Sequence, residues 1–391
     1  MPAGRERVVD RARGMRDLVR TEAAESERLR TLSPLIVEEM WACGLMSAFN
    51  PKEAGGVEPS FPEMIDTWIE MAWQDGSFGW IGIANLPSTF AAATYLPDQG
   101  FAEVFTGDDS RITIGGQYFP NGQGSAVDGG FRLSGAWNFG SGTGHSAYIG
   151  AGFFPMENGE MRWVSEGIPD MRVAFLPRDE VTFTDGWHVQ GLKGTGSYDY
   201  NVVDVFVPEH RTIPLFTREP VRGSSAASRM GLMPVTAAGH ASFALGVAKS
   251  MLDDVEELAA TKVRMSDMAT LASRQTFQKG LAHHVAAWRA ARLLVLDAFG
   301  LAEAAVDSGD DLTPRLRADM RLAAVYATDT ARAAAEWAHL AAGTTAIREG
   351  SRLERAFRDI YTGTQHAFIS EKVAMDVAQI WLGLIDDQFG L

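Results

Sequence analysis

The spacing of apolar residues changes twice along the chain, and its first part has helical spacing. Over residues 5 to about 105, apolar side chains recur with the period of a buried helix face. Ser33 precedes a proline at one helix start, and Ser60 with Glu63 forms a capping box at another. This pattern predicts an N-terminal helical domain over residues 1–108.

From about Arg111 apolar residues occur in short runs that are typical of strands. The runs are rich in β-branched and aromatic residues and are separated by Gly, Asp, Asn and Pro. They cover residues 112–114, 131–133, 148–154, 172–176 and 202–207. We predict a central β domain over residues 109–212, built as an antiparallel β-barrel or sandwich.

Helical spacing returns after residue 228 and continues to the end of the chain. Four long segments have alanine-rich apolar faces, at residues 236–261, 268–306, 314–342 and 354–384. They predict a C-terminal four-helix bundle over residues 213–391, and stripes of this kind often continue into a subunit interface. The predicted fold is therefore α+β and multi-domain, with ligand clefts where the β domain meets the helices.

Composition narrows the class of protein. The chain has 391 residues, of which 46% are hydrophobic, as in a soluble globular protein. Its 35 basic and 50 acidic residues give a net charge of −15 without any basic run, so we expect no nucleic-acid partner. Cys43 is the single cysteine, and no apolar run has the length of a signal peptide or membrane span. We expect a cytoplasmic protein that does not bind membranes.

Several catalytic motifs are missing from the sequence. There is no P-loop, and the Gly142–Gly144 and Gly194–Gly196 pairs lack the third glycine of a dinucleotide fingerprint. His283 and His284 are adjacent, so on a helix they point about 100° apart and cannot easily share a metal. We therefore predict no metal site.

The most distinctive stretch is the glycine-rich turn from Leu133 to His145, which follows an aromatic strand. Glycine has no Cβ, so such a turn lets backbone amides and hydroxyls approach a planar or anionic ligand. Two interpretations follow from these residues. The turn faces a flavin, or it is a hairpin without a ligand.

Five short stretches, met in order along nearly the whole chain, resemble the acyl-CoA dehydrogenase fold family. They are DGSFGW at 75–80, LSGAW at 133–137, GLKGTG at 191–196 with VFVP at 205–208, RQTF at 274–277 and RDIYTGT at 358–364. The family has the same order of helices, β domain and helical bundle. The resemblance therefore implies this fold and a bound flavin.

The same resemblance implies which residues hold the flavin. The neighbouring subunit of a homotetramer supplies an arginine and a phenylalanine, matched here by Arg274 and Phe277. His339 to Gly343 departs from the family's contacts to the adenosine part, so both FMN and FAD stay open. The full implied set is Trp137, Asn138, Phe139, Ser141, Gly142, Arg274, Phe277 and Thr344.

A departure from the dehydrogenases points to another reaction. Many of them carry their catalytic glutamate in a Tyr-Glu-Gly-Thr run, where this chain has Thr362, and His366 follows. This resembles the branch of two-component, reduced-flavin-dependent monooxygenases that hydroxylate aromatic substrates. Such enzymes receive reduced FMN or FAD from a separate NAD(P)H flavin reductase and react with O₂ through a C4a-hydroperoxyflavin.

Three residues are the catalytic candidates under this resemblance. Histidine titrates near neutral pH, so we expect His366 to bind or deprotonate a phenol or to handle the peroxide proton. Ser141 is expected to donate to the flavin or to a substrate hydroxyl. His145 is a second candidate, with a structural role in the turn as its alternative.

Two other functions stay open at this point. One is a diverged acyl-CoA dehydrogenase that holds FAD and has moved its base to a position such as Glu336 or Glu354. The other is a non-catalytic scaffold with the same fold. The small-molecule substrate, and whether oxygen goes to carbon, nitrogen or sulfur, cannot be read from the sequence.

Overall fold

The computed structural model describes residues 6–107, 111–184, 186–264, 268–388 and 390, in which helices are followed by strands and then by helices. The predicted domain boundary at 108/109 lies outside the described residues. Six helices form the first part, namely α1 Val8–Gly14, α2 Arg16–Leu29, α3 Pro34–Ala42, α4 Phe61–Gln74, α5 Gly76–Tyr95 and α6 Asp98–Phe105.

Helix caps set the positions of α4 and α5. The Ser60 hydroxyl accepts a hydrogen bond from Glu63 N at 3.4 Å, as the capping box predicted. The carboxylate of Asp75 then accepts from Ser77 N and Phe78 N, at 2.9 and 3.1 Å, and caps α5. Helix α5 is buried along nearly its whole length, and it carries Trp80 into the centre of the molecule.

The central part is an eight-stranded mixed sheet in the order β10-β7-β3-β1-β2-β9-β8, with the short β4 beside β3. A separate two-stranded ribbon is formed by β5 and β6. The ten strands are β1 Ile114–Val127, β2 Gly130–Gly140, β3 Tyr148–Glu157, β4 Glu160–Met161, β5 Trp163–Ser165, β6 Ile168–Pro169, β7 Arg172–Pro177, β8 Thr182–Thr184, β9 Tyr198–Pro208 and β10 Thr212–Pro214.

The predicted order of helices, β domain and helices is confirmed, but the sheet differs from an antiparallel barrel or sandwich in two respects. The sheet is open, and β3 pairs with β1 in parallel, starting from the pair Tyr148 and Ile114. The reason is that β2 returns the chain to the end of the sheet where β1 began. The glycine-rich turn then crosses this end, so β3 must run in the same direction as β1.

The C-terminal part contains the predicted long helices and additional short elements. The helices are α7 Ala226–Met230, α8 Leu232–Thr261, α9 Gln275–Asp307, α10 Pro314–Ala342, α11 Arg352–Gly363 and α12 Glu371–Trp381, and a two-stranded ribbon of β11 Val263–Arg264 and β12 Ala269–Thr270 joins α8 to α9. Within the described ranges, none of the helices combines the length and apolar character needed to cross a lipid bilayer.

The segment expected as one helix over 354–384 is two helices with a bend between them. Helix α11 ends at Gly363 and α12 begins at Glu371. A Cβ on Gly363 would lie 2.4 Å from a carbon of the Phe243 ring, so the helix end packs closely on α8. In the bend, Phe368 N donates to His366 Nδ1 rather than to a helix carbonyl. The bend thus places His366 outside regular helix.

Candidate active site

An aromatic cluster around Trp80 joins the helices on both sides of the β domain. The Trp80 ring lies 5.0 Å from Phe243 and 5.4 Å from His240, both on α8, between ring centroids. His366 approaches the same indole at 6.0 Å. Phe368 stacks on His240 at 5.6 Å with an angle of 26° between the planes. These side chains form one apolar site with two imidazoles in it.

The two imidazoles are adjacent, with ring centroids 4.4 Å apart. Burial and then the nearby Arg321 charge lower the pKa of His366 to about 4. Burial, then His366 and Arg321, lower the pKa of His240 well below its ordinary value. His366 still has accessible surface, as a side chain must have if it lines a binding site. Both rings are therefore neutral at physiological pH.

The hydrogen bond in the bend defines the tautomer of His366. Its Nδ1 accepts from Phe368 N at 3.2 Å, so in the neutral ring the proton is on Nε2. His366 can therefore donate from Nε2 to a ligand. Its neighbour His240 was not among the predicted site residues, although an imidazole on the apolar helix α8 was a signal.

Ser141 connects this cluster to the glycine-rich turn. Its hydroxyl oxygen accepts from Trp80 Nε1 at 2.9 Å and from Ser197 Oγ at 3.0 Å. Ser197 Oγ in turn lies 2.6 Å from Thr195 Oγ1. Because a hydroxyl has two acceptor sites and one proton, the Ser141 proton is left for a third partner.

The glycines of the turn serve the protein's own packing. A Cβ on Gly142 would lie 2.1 Å from Asn85 Oδ1, and one on Gly144 would lie 2.3 Å from Thr31 Oγ1. Gly142 N also donates to Thr195 O at 3.0 Å. The turn is thus held against α5 and the 191–197 loop, with its glycines turned away from an open ligand face.

The other predicted residues of the turn point in different directions. Trp137 lies inside the β domain, where it stacks on Tyr200 at 5.3 Å and donates from Nε1 to Gly152 O at 2.9 Å. Its ring is 1% exposed, so it supports the turn from below and leaves no face for a ligand. Phe139 is 64% exposed, with φ of 61°. Asn138 is exposed beside it and donates to Asp199.

These features fit a flavin in three ways. The Ser141 hydroxyl offers a proton to a ring acceptor, the exposed Phe139 offers an aromatic face, and the Trp80 cluster offers an apolar wall with two neutral imidazoles. An isoalloxazine ring is planar and carries hydrogen-bond acceptors, so it can use contacts of these kinds. We therefore regard the surface between Phe139 and His366 as the candidate flavin site.

His145, the last residue of the turn, is half-buried and lies in a different environment. Both ring nitrogens lack a hydrogen-bond partner among the described residues. Burial and then the charge of Arg178 lower the pKa of His145 to about 4. None of its described contacts is with the Trp80 cluster. The structure thus separates His145 from the pair formed by His240 and His366.

Arg274, Phe277 and Thr344 lie together at the ends of the long C-terminal helices. Arg274 immediately precedes α9, and Phe277 packs on Trp337 with ring centroids 5.5 Å apart. Thr344 is exposed in the short helix Gly343–Ile347 that follows α10. The structure therefore brings this part of the predicted set together.

This second group is far from His366 within one chain. Lys262 follows α8 and donates to Thr345 Oγ1 at 2.6 Å, which fixes the far end of α8 to the region of Arg274. His240 lies near the other end, about 33 Å away along the helix at about 1.5 Å per residue. Within one chain, the two groups therefore cannot contact the same flavin ring.

The structure also shows where the alternative bases are. The Thr362 hydroxyl donates to Arg358 O at 2.8 Å and lies against Gly191, outside the Trp80 cluster. Glu354 is paired with Arg358, and Glu336 is exposed on α10. Neither glutamate contacts the imidazole pair, so the described residues provide no carboxylate base at the candidate site.

A buried pair of carboxyl groups lies behind the site and joins the three parts of the chain. Asp359 on α11 is fully buried and accepts from Leu192 N at 2.6 Å. A Cβ on Gly76 would lie 2.5 Å from Asp359 Oδ2, which places this carboxyl directly beside the Asp75 cap. Burial and then the Asp75 charge raise the pKa of Asp359 to about 8. The pair therefore holds a proton at neutral pH.

Comparisons with known proteins support the fold and the flavin-site interpretation. The model of the acyl-CoA dehydrogenase C-terminal domain family matches residues 238–371. A pigment production hydroxylase of Rhodococcus erythropolis is 31% identical over 372 residues, with 92% of each chain covered. An indole-3-acetate monooxygenase of Pseudomonas putida is 29% identical over 378 residues, which cover 95% of this chain and 92% of that protein.

A solved structure has the same fold over almost the whole chain. It is XiaF from a Streptomyces species, in complex with FADH₂ and glycerol. The TM-score is 0.89 at 24% sequence identity, with 98% of this chain and 97% of that chain covered. The observed arrangement of helices, open sheet and helices is therefore that of a known fold.

Proposed function

Because the chain belongs to the acyl-CoA dehydrogenase fold family, in its branch of flavin-dependent monooxygenases, we propose that it is the oxygenase component of a two-component enzyme. It receives reduced FMN or FAD from a separate NAD(P)H flavin reductase. It uses O₂ to hydroxylate a small aromatic substrate. The relative from Pseudomonas putida is named for indole-3-acetate, which is one member of this substrate class.

One observation carries the proposal. The position at which many dehydrogenases carry their base is occupied by Thr362, whose hydroxyl is bonded back to Arg358 O. The nearest groups able to exchange a proton in the apolar site are instead the two neutral imidazoles, 4.4 Å apart. Removal of an α-proton from a thioester needs a general base positioned at that carbon, and the family's carboxylate is missing from its position here, whereas hydroxylation of an activated aromatic ring needs a proton donor and a dry pocket.

Each residue of the site has a separate role in the proposed reaction. Bound reduced flavin supplies the electrons with which O₂ is activated. Ser141 would hold the flavin ring by donating its remaining proton, and Trp80 keeps that hydroxyl in place. His366 would donate from Nε2 to a substrate hydroxyl or to an oxygen atom in the site. His240, which has no backbone hydrogen bond among the described residues to fix its tautomer, would accept a hydrogen bond from the substrate. Phe243 and Phe368 exclude water.

We further propose that the enzyme is a cytoplasmic homotetramer in which Arg274 and Phe277 complete the flavin site of a neighbouring subunit. The long helices carry exposed apolar side chains that an interface would cover, and a guanidinium fork suits flavin phosphate oxygens. On α9 and α10 these side chains include Leu293 at 63%, Leu301 at 58% and Leu340 at 66% exposure, and Ile347 in the short helix after α10 is 65% exposed.

Rapid mixing tests the central proposal. The protein, loaded with anaerobically reduced FMN or FAD, is mixed with O₂ with and without an aromatic substrate panel that includes indole-3-acetate and phenols. We expect a transient absorbance before the oxidised flavin spectrum appears, together with a hydroxylated product by mass spectrometry. Direct reoxidation without a transient or product, or bleaching of bound oxidised FAD by an acyl-CoA, would overturn the proposal.

A further inference from the structure

Three hydroxyl groups form a hydrogen-bonded row that runs from Ser141 into the protein interior. Ser197 Oγ lies 3.0 Å from Ser141 Oγ and 2.6 Å from Thr195 Oγ1. At the inner end of the row, Thr195 Oγ1 lies 2.9 Å from Leu192 O. At the outer end, Trp80 Nε1 donates to Ser141 at 2.9 Å. The hydroxyl row therefore connects an indole N–H to a backbone carbonyl without interruption.

Burial isolates the inner part of the hydroxyl row from water. Thr195 is fully buried, and Ser197 is 1% exposed. Ser141 is half-buried, so it is the member of the row that meets the candidate site. A buried hydroxyl that loses its hydrogen-bond partner destabilises the protein. Thr195 and Ser197 must therefore place their protons along the row.

The short distances limit how the three protons can be arranged, because each hydroxyl has only one. Two hydroxyl oxygens 2.6 Å apart need a proton between them, so one of Thr195 and Ser197 donates to the other. In the outward order, Thr195 donates to Ser197 and Ser197 donates to Ser141, which leaves the Ser141 proton for a ligand. In the inward order, Ser141 donates to Ser197 and Ser197 to Thr195, whose own proton goes to the carbonyl at the inner end. Ser141 then has a free acceptor site and no free proton.

The inner end of the row is compatible with both orders. Leu192 O accepts from Trp187 Nε1 at 2.9 Å as well as from Thr195. The carbonyl therefore keeps a partner when Thr195 turns its proton toward Ser197. Because neither order leaves this buried carbonyl unpaired, a ligand at Ser141 can decide between them.

A flavin is a ligand whose hydrogen-bonding needs change with its redox state. Reduction adds hydrogen to ring nitrogens, which change from acceptors to donors. We propose that Thr195 and Ser197 are positioning residues that let Ser141 donate to such a nitrogen in oxidised flavin and accept from it in reduced flavin. Donation is then one of two contacts that Ser141 can make with the ring. This inference rests on the proposed function, because it concerns how the same site holds its flavin.

A purely structural role for the inner hydroxyls makes a different prediction. They also join the 191–197 loop to the glycine-rich turn. Thr143 does the same, since its buried hydroxyl donates to Gly196 O at 3.0 Å. If joining were the only role, loss of these hydroxyls would weaken the binding of oxidised and reduced flavin by the same factor. The ratio of the two dissociation constants separates the two roles, and Thr143→Val is the matched control.

Titration of tryptophan fluorescence with FMN and FAD, in air for the oxidised forms and without oxygen for the dithionite-reduced forms, gives this ratio. Thr195→Val leaves the Ser197 proton with Ser141 as its only partner. We expect it to raise the Kd of reduced flavin about 10-fold relative to that of oxidised flavin, the effect of one hydrogen bond. Ser197→Ala should shift the ratio in the same direction, because the Ser141 proton loses its inward acceptor. Thr195→Ser and Thr143→Val should keep the ratio within about twofold of the wild-type value.

Several results would overturn the inference. They are unchanged ratios in Thr195→Val and Ser197→Ala, an equal shift in Thr143→Val, or a wild-type protein that binds neither reduced flavin. If Thr195→Val does not fold, Ser197→Ala and Thr195→Ser decide. Unchanged ratios in an enzyme that forms a hydroxylated product would refute this inference alone. Shifted ratios without any hydroxylated product would refute the proposed function alone.

Discussion

The buried carboxyl pair behind the site predicts an unusual pH dependence of stability. Asp359 is fully buried, and its neighbour Asp75 together with burial raises its pKa from 3.8 to about 8. In the unfolded chain Asp359 loses its proton near pH 4, whereas the folded protein keeps it. The stability from this protonated group is therefore complete below about pH 4 and is lost as the pH rises toward 8.

The magnitude follows from the linkage relation. Between these pH values one extra bound proton in the folded state lowers the free energy of unfolding by about 1.4 kcal/mol for each pH unit. From pH 5 to pH 8 the proton shared by the Asp75–Asp359 pair therefore accounts for a loss of up to about 4 kcal/mol. With an unfolding entropy of about 2.1 cal/mol/K per residue, a protein of this length would lose about 5 °C in Tm.

Asp359→Asn removes this proton and keeps an oxygen to accept from Leu192 N. In melting curves, the Tm of Asp359→Asn should rise relative to that of the wild type by about 5 °C between pH 5 and pH 8. Asp329→Asn, an exposed change at a carboxylate that pairs with Arg332, should follow the wild-type curve. Parallel curves for Asp359→Asn and the wild type would show that Asp359 is not protonated in the folded protein.

Three further substitutions test the site itself. His366→Ala should lower the product formed per reduced flavin by at least about 100-fold, while its FMN affinity stays within twofold of the wild-type value. His188→Ala, the control, should change neither quantity. An unchanged product yield in His366→Ala would remove His366 from the mechanism. Ser141→Ala should weaken FMN binding about 10-fold in a fluorescence titration, and unaltered affinity would exclude the proposed donation. Gly363→Ala places a Cβ 2.4 Å from Phe243, so it should lower stability by about 1–3 kcal/mol in urea unfolding, and an equal midpoint would contradict this packing.

Local sequence patterns predict the helices and strands of this fold better than they predict how those elements are arranged in space. The caps at Ser33 and Ser60 and the short apolar runs place helices and strands because those signals lie within a few residues of each other. The parallel pairing of β1 with β3 depends on which side of β1 is taken by β2. That choice depends on residues far apart in the chain, so the spacing of apolar residues within one segment cannot predict it.

The glycine-rich turn shows the same limit in the site. Its composition predicts close approach, and close approach is what the structure contains. The partners, however, are Asn85 for Gly142 and Thr31 for Gly144, and both partners lie far before the turn in the sequence. Sequence spacing indicates that a Cβ must be missing, but it does not say whether a ligand or the protein fills the space.

His240 and Thr362 explain why the chemistry could be predicted only in part. The loss of the dehydrogenase base is visible at Thr362 from residue identity alone, and the structure adds that this position faces Gly191. His366, four residues later, reaches Trp80 because α11 ends at Gly363 and the chain bends. His240 gains a function only from its contact with His366, since a single histidine on an apolar helix is otherwise a core residue. The proposed reactive unit is a pair of side chains brought together by folding, and only His366 lies in a motif that the sequence made recognisable.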